Sequence, residues 1–183
     1  STFYQCGEGY RLDPHSLKQF GTESWVPLDG ISAHPKVDES TGELLFFNYS
    51  KHAPYYHCGV ISPDNELTRY VPVELPGPRL PHDMAFTKNY VIVPDLPLFW
   101  DPEALKLGVH AVRFYRDMPS RFGILPRAGS PDAIKWFEAD PTYVLHWANA
   151  YEDGDEIVLD GYFPVSYTHL RALETDSYLV CRL

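Results

Sequence analysis

The sequence predicts an all-β protein of antiparallel strands: a sandwich, a barrel or a propeller. Three observations carry this. Helix signals are confined to one short stretch. Strand-like runs recur every 8–12 residues or so between turn clusters. Seventeen prolines and thirteen tyrosines in 183 residues suit strand edges and turns and rule out a helical bundle. With 44% hydrophobic and 15% aromatic residues, the chain has enough apolar side chains to form a core.

Taken in order, the first strand signal is 44–49, after the turn Glu39-Ser40-Thr41-Gly42. Strands at 55–62 and 67–75 flank Pro63-Asp64-Asn65-Glu66, which predicts a hairpin. Strands at 84–87 and 90–93 flank Lys88-Asn89. The one helix is 101–108: Asp101 is its cap, Pro102 takes the first helical position and Gly108 stops it. Strands follow at 109–115, 121–125, 133–138 and 143–151, and after Glu152-Asp153-Gly154-Asp155 a last one spans 156–162.

The net charge is −10, from 25 acidic and 15 basic residues. No Lys/Arg run interrupts it, so nucleic acid is not an expected partner. Cys6, Cys58 and Cys181 have no metal-type spacing and form no even framework, which fits a reduced, cytoplasmic setting. No apolar run approaches the about 18 residues of a membrane helix.

The segment 165–183 differs in kind. Val165-Ser166-Tyr167-Thr168-His169-Leu170-Arg171-Ala172 and Tyr178-Leu179-Val180-Cys181-Arg182-Leu183 resemble a translated sequencing-library adapter. The expected division is a protein-like part, 1–164, and a non-native tail, 165–183. His169 and Cys181 are therefore set aside as site residues.

Three histidines stand in distinctive strings. His34 lies in Ser32-Ala33-His34-Pro35-Lys36-Val37-Asp38, ahead of a hairpin turn. His82 opens His82-Asp83-Met84-Ala85-Phe86-Thr87 at the start of a strand. His146 lies in Val144-Leu145-His146-Trp147-Ala148-Asn149-Ala150-Tyr151-Glu152, expected inside a strand. None pairs with another at His-x-His or His-x-x-x-His spacing, so a shared site needs three separate elements to converge. The inner strands of a propeller do this.

These strings resemble the carotenoid cleavage oxygenase family, which includes lignostilbene dioxygenases. The resemblance runs from Tyr4-Gln5-Cys6-Gly7-Glu8-Gly9-Tyr10 to about Tyr162. It includes Thr41-Gly42-Glu43-Leu44, Leu75-Pro76-Gly77-Pro78, Arg121-Phe122-Gly123-Ile124-Leu125-Pro126-Arg127 and Asn149-Ala150-Tyr151-Glu152-Asp153-Gly154-Asp155 in order. It implies part of a seven-bladed β-propeller, about three to four blades' worth and truncated. It also implies a ferrous iron held by four histidines. His34, His82 and His146 match the first three by motif, and nothing in this chain matches the fourth. Neutral imidazoles suit Fe(2+), and four of them on a six-coordinate ion leave two positions open.

Family members cut a conjugated carbon–carbon double bond of a carotenoid, apocarotenoid or stilbene with O2, giving two carbonyl products. The expected partners are therefore an apolar conjugated small molecule and O2, with no obligate protein partner. With one ligand outside it, the chain by itself is expected to be inactive. A non-catalytic propeller binding module or pseudoenzyme is the alternative. A three-histidine zinc hydrolase is a weaker one, because the strings are those of the oxygenases.

The resemblance further implies glutamates behind three of the iron histidines, none of which this sequence places. Asp83 and Glu152 adjoin motif histidines, but strand neighbours point to opposite faces. Both read as strand-end hydrogen-bonding residues, and Asn149 as a structural amide. Phe46, Phe47, Tyr49, Tyr55, Tyr56, Phe99, Trp100, Trp136, Phe137 and Trp147 are of the types that line an apolar tunnel, though core packing uses the same types. Leu96-Pro97-Leu98-Phe99-Trp100 is expected as an exposed apolar loop, at a tunnel mouth or touching a membrane surface.

Overall fold

A computed structural model describes residues 7–25, 30–162 and 176–182. These residues divide into two compact units, Ser1–Gly77 and Pro78–Leu183.

The first unit opens with the hairpin of β1 (Tyr10–Leu12) and β2 (Gln19–Thr22). A four-stranded antiparallel meander follows: β3 (Lys36–Asp38), β4 (Glu43–Tyr49), β5 (Tyr55–Ile61) and β6 (Leu67–Glu74). The β3–β4 turn is set locally. The Asp38 carboxylate accepts from Ser40 N and Oγ, and Gly42 takes φ 74°, which its missing Cβ allows. β4 is buried on both faces. Phe46 packs with Trp25, Ile31 and Ile61, while Phe47 stacks on Tyr56 at 5.3 Å between ring centroids. Ile31 bridges to Gly7, and Ser32 N donates to Phe47 O at 2.8 Å. The chain is thus stitched to β4 two residues before His34, which sits half-buried ahead of β3. Cys58 is free and buried, and burial pushes its thiol up to about 12, so it is inert as a nucleophile.

The second unit holds β7 (Ala85–Phe86), β8 (Tyr90–Asp95), β11 (Ser120–Pro126) and β12 (Lys135–Ala139), ordered β12-β11-β8-β7 and all antiparallel. Between β8 and β11 the chain leaves as a ribbon of β9 (Leu98–Trp100) and β10 (Val112–Phe114), with α1 (Pro102–Lys106) between them. The Asp101 carboxylate caps α1 by accepting from Glu103 N and Ala104 N, as the sequence predicts. A second sheet has the order β13 (Trp147–Asp153), β14 (Glu156–Tyr162), β15 (Asp176–Arg182). One core joins the two sheets of this unit, with Ala85, Ile92, Phe122 and Ile124 against Val144, Trp147, Ile157 and Leu159.

Three expectations need correction. First, 96–100 is not an exposed loop. Leu96, Leu98 and Phe99 are buried, and Phe99 sits between the Tyr115 ring, stacked at 4.2 Å, and the Arg79 guanidinium, 4.2 Å from its centroid. Pairing with β10 supplies the backbone partners that Pro97 had suggested were missing. Secondly, His146 precedes its strand instead of lying within it, because the ladder starts only at Trp147. Thirdly, β1, β2 and β3 are strands that the sequence reading does not mark.

Of the segment read as a tail, 165–175 and Leu183 lie outside the described residues, and Asp176–Arg182 forms β15 against β14. Among the described residues, no helix is long and apolar enough to cross a membrane, which says nothing of strands.

Candidate metal centre

Within the second unit, two segments distant in sequence run together and bring His82 to His146. The first is 79–83. Arg79 Nε donates to Asp95 Oδ1 at 2.6 Å, and Arg79 also bridges to Phe99. Leu80 O accepts from Tyr143 Oη at 3.1 Å. Asp83 Oδ1 accepts from Met84 N at 2.8 Å, and its Oδ2 accepts from Trp147 N at 3.0 Å. His82 is therefore fixed between pinned neighbours.

The second segment, 143–147, is held by the other ends of the same bonds. Tyr143 ties it to Leu80 and Trp147 N ties it to Asp83, on either side of His146. Thr142 N donates to Ser120 Oγ, which in turn donates to Thr142 O. Side chains thus satisfy the backbone groups of Thr142 and Trp147, on either side of 143–146. The Trp147 ring anchors the end of the segment in the core, edge-on to Phe122 at 5.8 Å.

The outcome is an edge-to-face pair of imidazoles, with His82 and His146 centroids 5.0 Å apart and planes at 74°. Their ligand atoms lie within 4.8 Å of each other. Two nitrogens each about 2.1 Å from one ion stand about 3–4 Å apart, so a small rotation of either ring lets both bind the same metal. His82 is half-buried and His146 exposed, its side chain half accessible, so an ion can reach them. The donor set fits a borderline transition metal: two imidazole nitrogens, with a carboxylate behind one ring. The structure therefore brings two of the predicted site residues together in this unit. His34, the third, stands ahead of β3 in the first unit.

Sequence reasoning missed where Asp83 reaches. It is 2% exposed, and its Oδ2 lies 3.9 Å from His146 Nδ1 as well as accepting from Trp147 N. Its place beside a motif histidine was the only signal. Glu152 acts as expected of a hydrogen-bonding residue, accepting from Thr87 and Asn89.

An all-β chain whose separate segments deliver imidazoles to one point is characteristic of metal-binding propellers. Residues 2–177 match the family profile described as RPE65, retinal pigment epithelial membrane protein. The chain belongs to this family of carotenoid oxygenases. It is 43% identical over 131 residues to the carotenoid 9,10(9',10')-cleavage dioxygenase of Crocus sativus, covering 70% of this chain and 24% of that protein. It is 32% identical over 162 residues to resveratrol cleavage oxygenase 1 of Aspergillus fumigatus, covering 82% and 32%. The lignostilbene dioxygenase of Pseudomonas brassicacearum aligns over 97% of this chain and 40% of its own, with TM-score 0.78 and 26% identity. Cobalt-substituted Synechocystis apocarotenoid oxygenase shares the fold at TM-score 0.70, 22% identity and the same 97% coverage, over 42% of its own chain. The fold is thus part of a β-propeller, and the chain spans about a quarter of the length of the Crocus relative.

Proposed function

We propose that the protein carrying this chain is a non-haem iron(II) dioxygenase that cleaves a conjugated carbon–carbon double bond of a carotenoid, apocarotenoid or stilbene. Both atoms of O2 end in the two carbonyl products. His34, His82 and His146 supply three of the iron ligands, and a fourth histidine comes from outside this chain. The observation that carries this reading is the His82–His146 pair, held at 5.0 Å by bonds on either side of each ring. Ferrous iron, when bound, supplies the activation of dioxygen. The chain's own part is to hold the imidazoles in place. No general acid or base is needed, because an alkene has no proton to transfer in this cleavage.

The test is anaerobic loading of the full-length protein with Fe(2+), followed by an apocarotenal or resveratrol in air, with aldehydes read by chromatography. The reading expects one iron per protein, aldehyde products, and loss of both in His82→Ala and His146→Ala. Zinc retained in place of iron, or substrate bound without cleavage, would favour the hydrolase or binding-module alternatives and overturn it.

We also propose a membrane-surface contact, made not by 96–100 but by Leu107, Val109 and Val112. Leu107 and Val109 follow α1 and Val112 opens β10; all three are exposed, with Leu107 at 81%. Large exposed apolar side chains close together in the chain suit an apolar boundary from which a lipid-soluble substrate is drawn.

A further inference from the structure

We propose that Asp83 is a positioning residue of the metal centre, setting the place of His146 beside His82. This rests on the reading of His82 and His146 as metal ligands.

The carboxylate is nearly fully buried, and each of its oxygens has a backbone donor. Oδ1 takes Met84 N, next in chain, and Oδ2 takes Trp147 N, 64 residues away. Because Asp83 follows His82 and Trp147 follows His146, this one side chain sets the spacing of the two imidazoles. Burying a carboxylate is costly unless its oxygens are matched by donors, and here both are.

The same Oδ2 lies 3.9 Å from His146 Nδ1, beyond a direct hydrogen bond, so the carboxylate stands behind the ring. Carboxylates commonly orient metal-binding histidines in this way. Asp83 differs from a purely structural cap in doing two things at once: it fixes the backbone beside the ligand, and it places charge behind the ring.

Asp83→Asn acts on both roles at once. An amide offers one acceptor, so one of the two backbone donors loses its partner, and the charge behind His146 disappears. The experiment titrates Co(2+) into full-length wild type, D83N and H146A, following the visible ligand-field spectrum, with melting temperature measured in parallel. Cobalt is a suitable probe because a solved relative carries it.

The expected result is about tenfold to a hundredfold weaker cobalt binding and a shifted spectrum in D83N. H146A should lose the wild-type spectrum. If D83N binds cobalt with wild-type affinity and spectrum while H146A does not, Asp83 is only structural and the inference falls, leaving the metal centre standing. If wild type and H146A titrate alike, the metal-centre reading fails and this inference fails with it. Should D83N not fold, Asp83→Glu replaces it: it keeps the charge and both acceptors but shifts them by a methylene, so weaker cobalt binding with a shifted spectrum is expected from displacement alone, and wild-type affinity and spectrum overturn the inference.

Discussion

Glu152 holds Asn89 at two points: its Oε1 accepts from the Asn89 backbone N–H and its Oε2 from the Asn89 side-chain amide, both at 2.8 Å. Thr87 Oγ1 adds a third bond to Oε1 at 2.6 Å. One carboxylate on β13 therefore clamps the β7–β8 turn, 63 residues earlier in the chain. That turn leads out of β7, the strand just after His82, while β13 begins just after His146. The clamp and the Asp83 bonds thus both hold the same two segments together after the imidazole pair, and the Tyr143–Leu80 bond holds them before it.

Acid sensitivity should follow from the clamp. Burial pushes the Glu152 carboxyl up, but the hydrogen bonds from Thr87 and Asn89, helped by Lys88, outweigh it and hold the group below its ordinary 4.5. A folded-state value below the unfolded one gives stability that is complete above about pH 4.5 and is lost as pH falls through the depressed value. Glu152→Gln keeps one acceptor and removes the charge. Its melting temperature should lie below wild type at pH 7, and the gap should narrow toward pH 3. A constant gap across that range would show that the clamp does not titrate with folding.

Asp95 should be the most costly polar residue to alter in the second unit. It is 3% exposed and faces two guanidiniums, Arg79 and Arg121, the first also buried. Asp95→Asn leaves Arg79 without a counter-charge in the interior, at a cost of about 3–5 kcal/mol by analogy with other broken buried pairs. Because Arg79 also begins the His82 segment and lies over Phe99, metal binding should weaken together with stability. Chemical denaturation with and without cobalt measures both.

What the sequence makes legible here is local. The limits of β14 are readable because Gly154-Asp155 precede an apolar run, and α1 because its cap and its proline are neighbours. The three histidine strings are likewise contiguous. β1 and β2 escape notice because they are short, largely exposed and without alternation. β9 is hidden by Pro97, and Phe99 is buried by Arg79, twenty residues earlier, and Tyr115, sixteen later. His146 stands just before its strand, and the N–H of Trp147, the first strand residue, is taken by a carboxylate 64 residues upstream of it. Each of these depends on partners that no local pattern names.

The two apolar surfaces of the β9–α1–β10 ribbon should respond in opposite ways. Phe99→Ala removes a buried ring and should cost about 3–5 kcal/mol in stability. Leu107→Ser with Val109→Ser changes only exposed positions, so melting should move little. Loss of two apolar contacts of about 1–2 kcal/mol each should lower binding to phosphatidylcholine vesicles by tenfold or more. Sedimentation with vesicles decides this. Unchanged partition in the double variant would remove the proposed membrane contact.

A test of how packing supports the imidazole pair lies at Gly161. It is the ladder partner of Trp147, and a Cβ built there would meet Trp147 Cε3 at 2.7 Å and Val144 Cγ1 at 3.2 Å. These neighbours cannot yield cheaply, since the indole is edge-on to Phe122 and Val144 is in the same core. Gly161→Ala should therefore displace the indole and, with it, the Trp147 N–H that Asp83 accepts. The expected cost is about 1–3 kcal/mol of overpacking. The loss of cobalt affinity should exceed that of Gly154→Ala, at a glycine whose added Cβ meets nothing within 4 Å but whose φ of 62° would strain an alanine in the β13–β14 turn. Both variants lose stability, but only the first moves the residue beside His146. If both lose cobalt equally, affinity tracks global stability, and the placement of Trp147 has no special role in holding the pair.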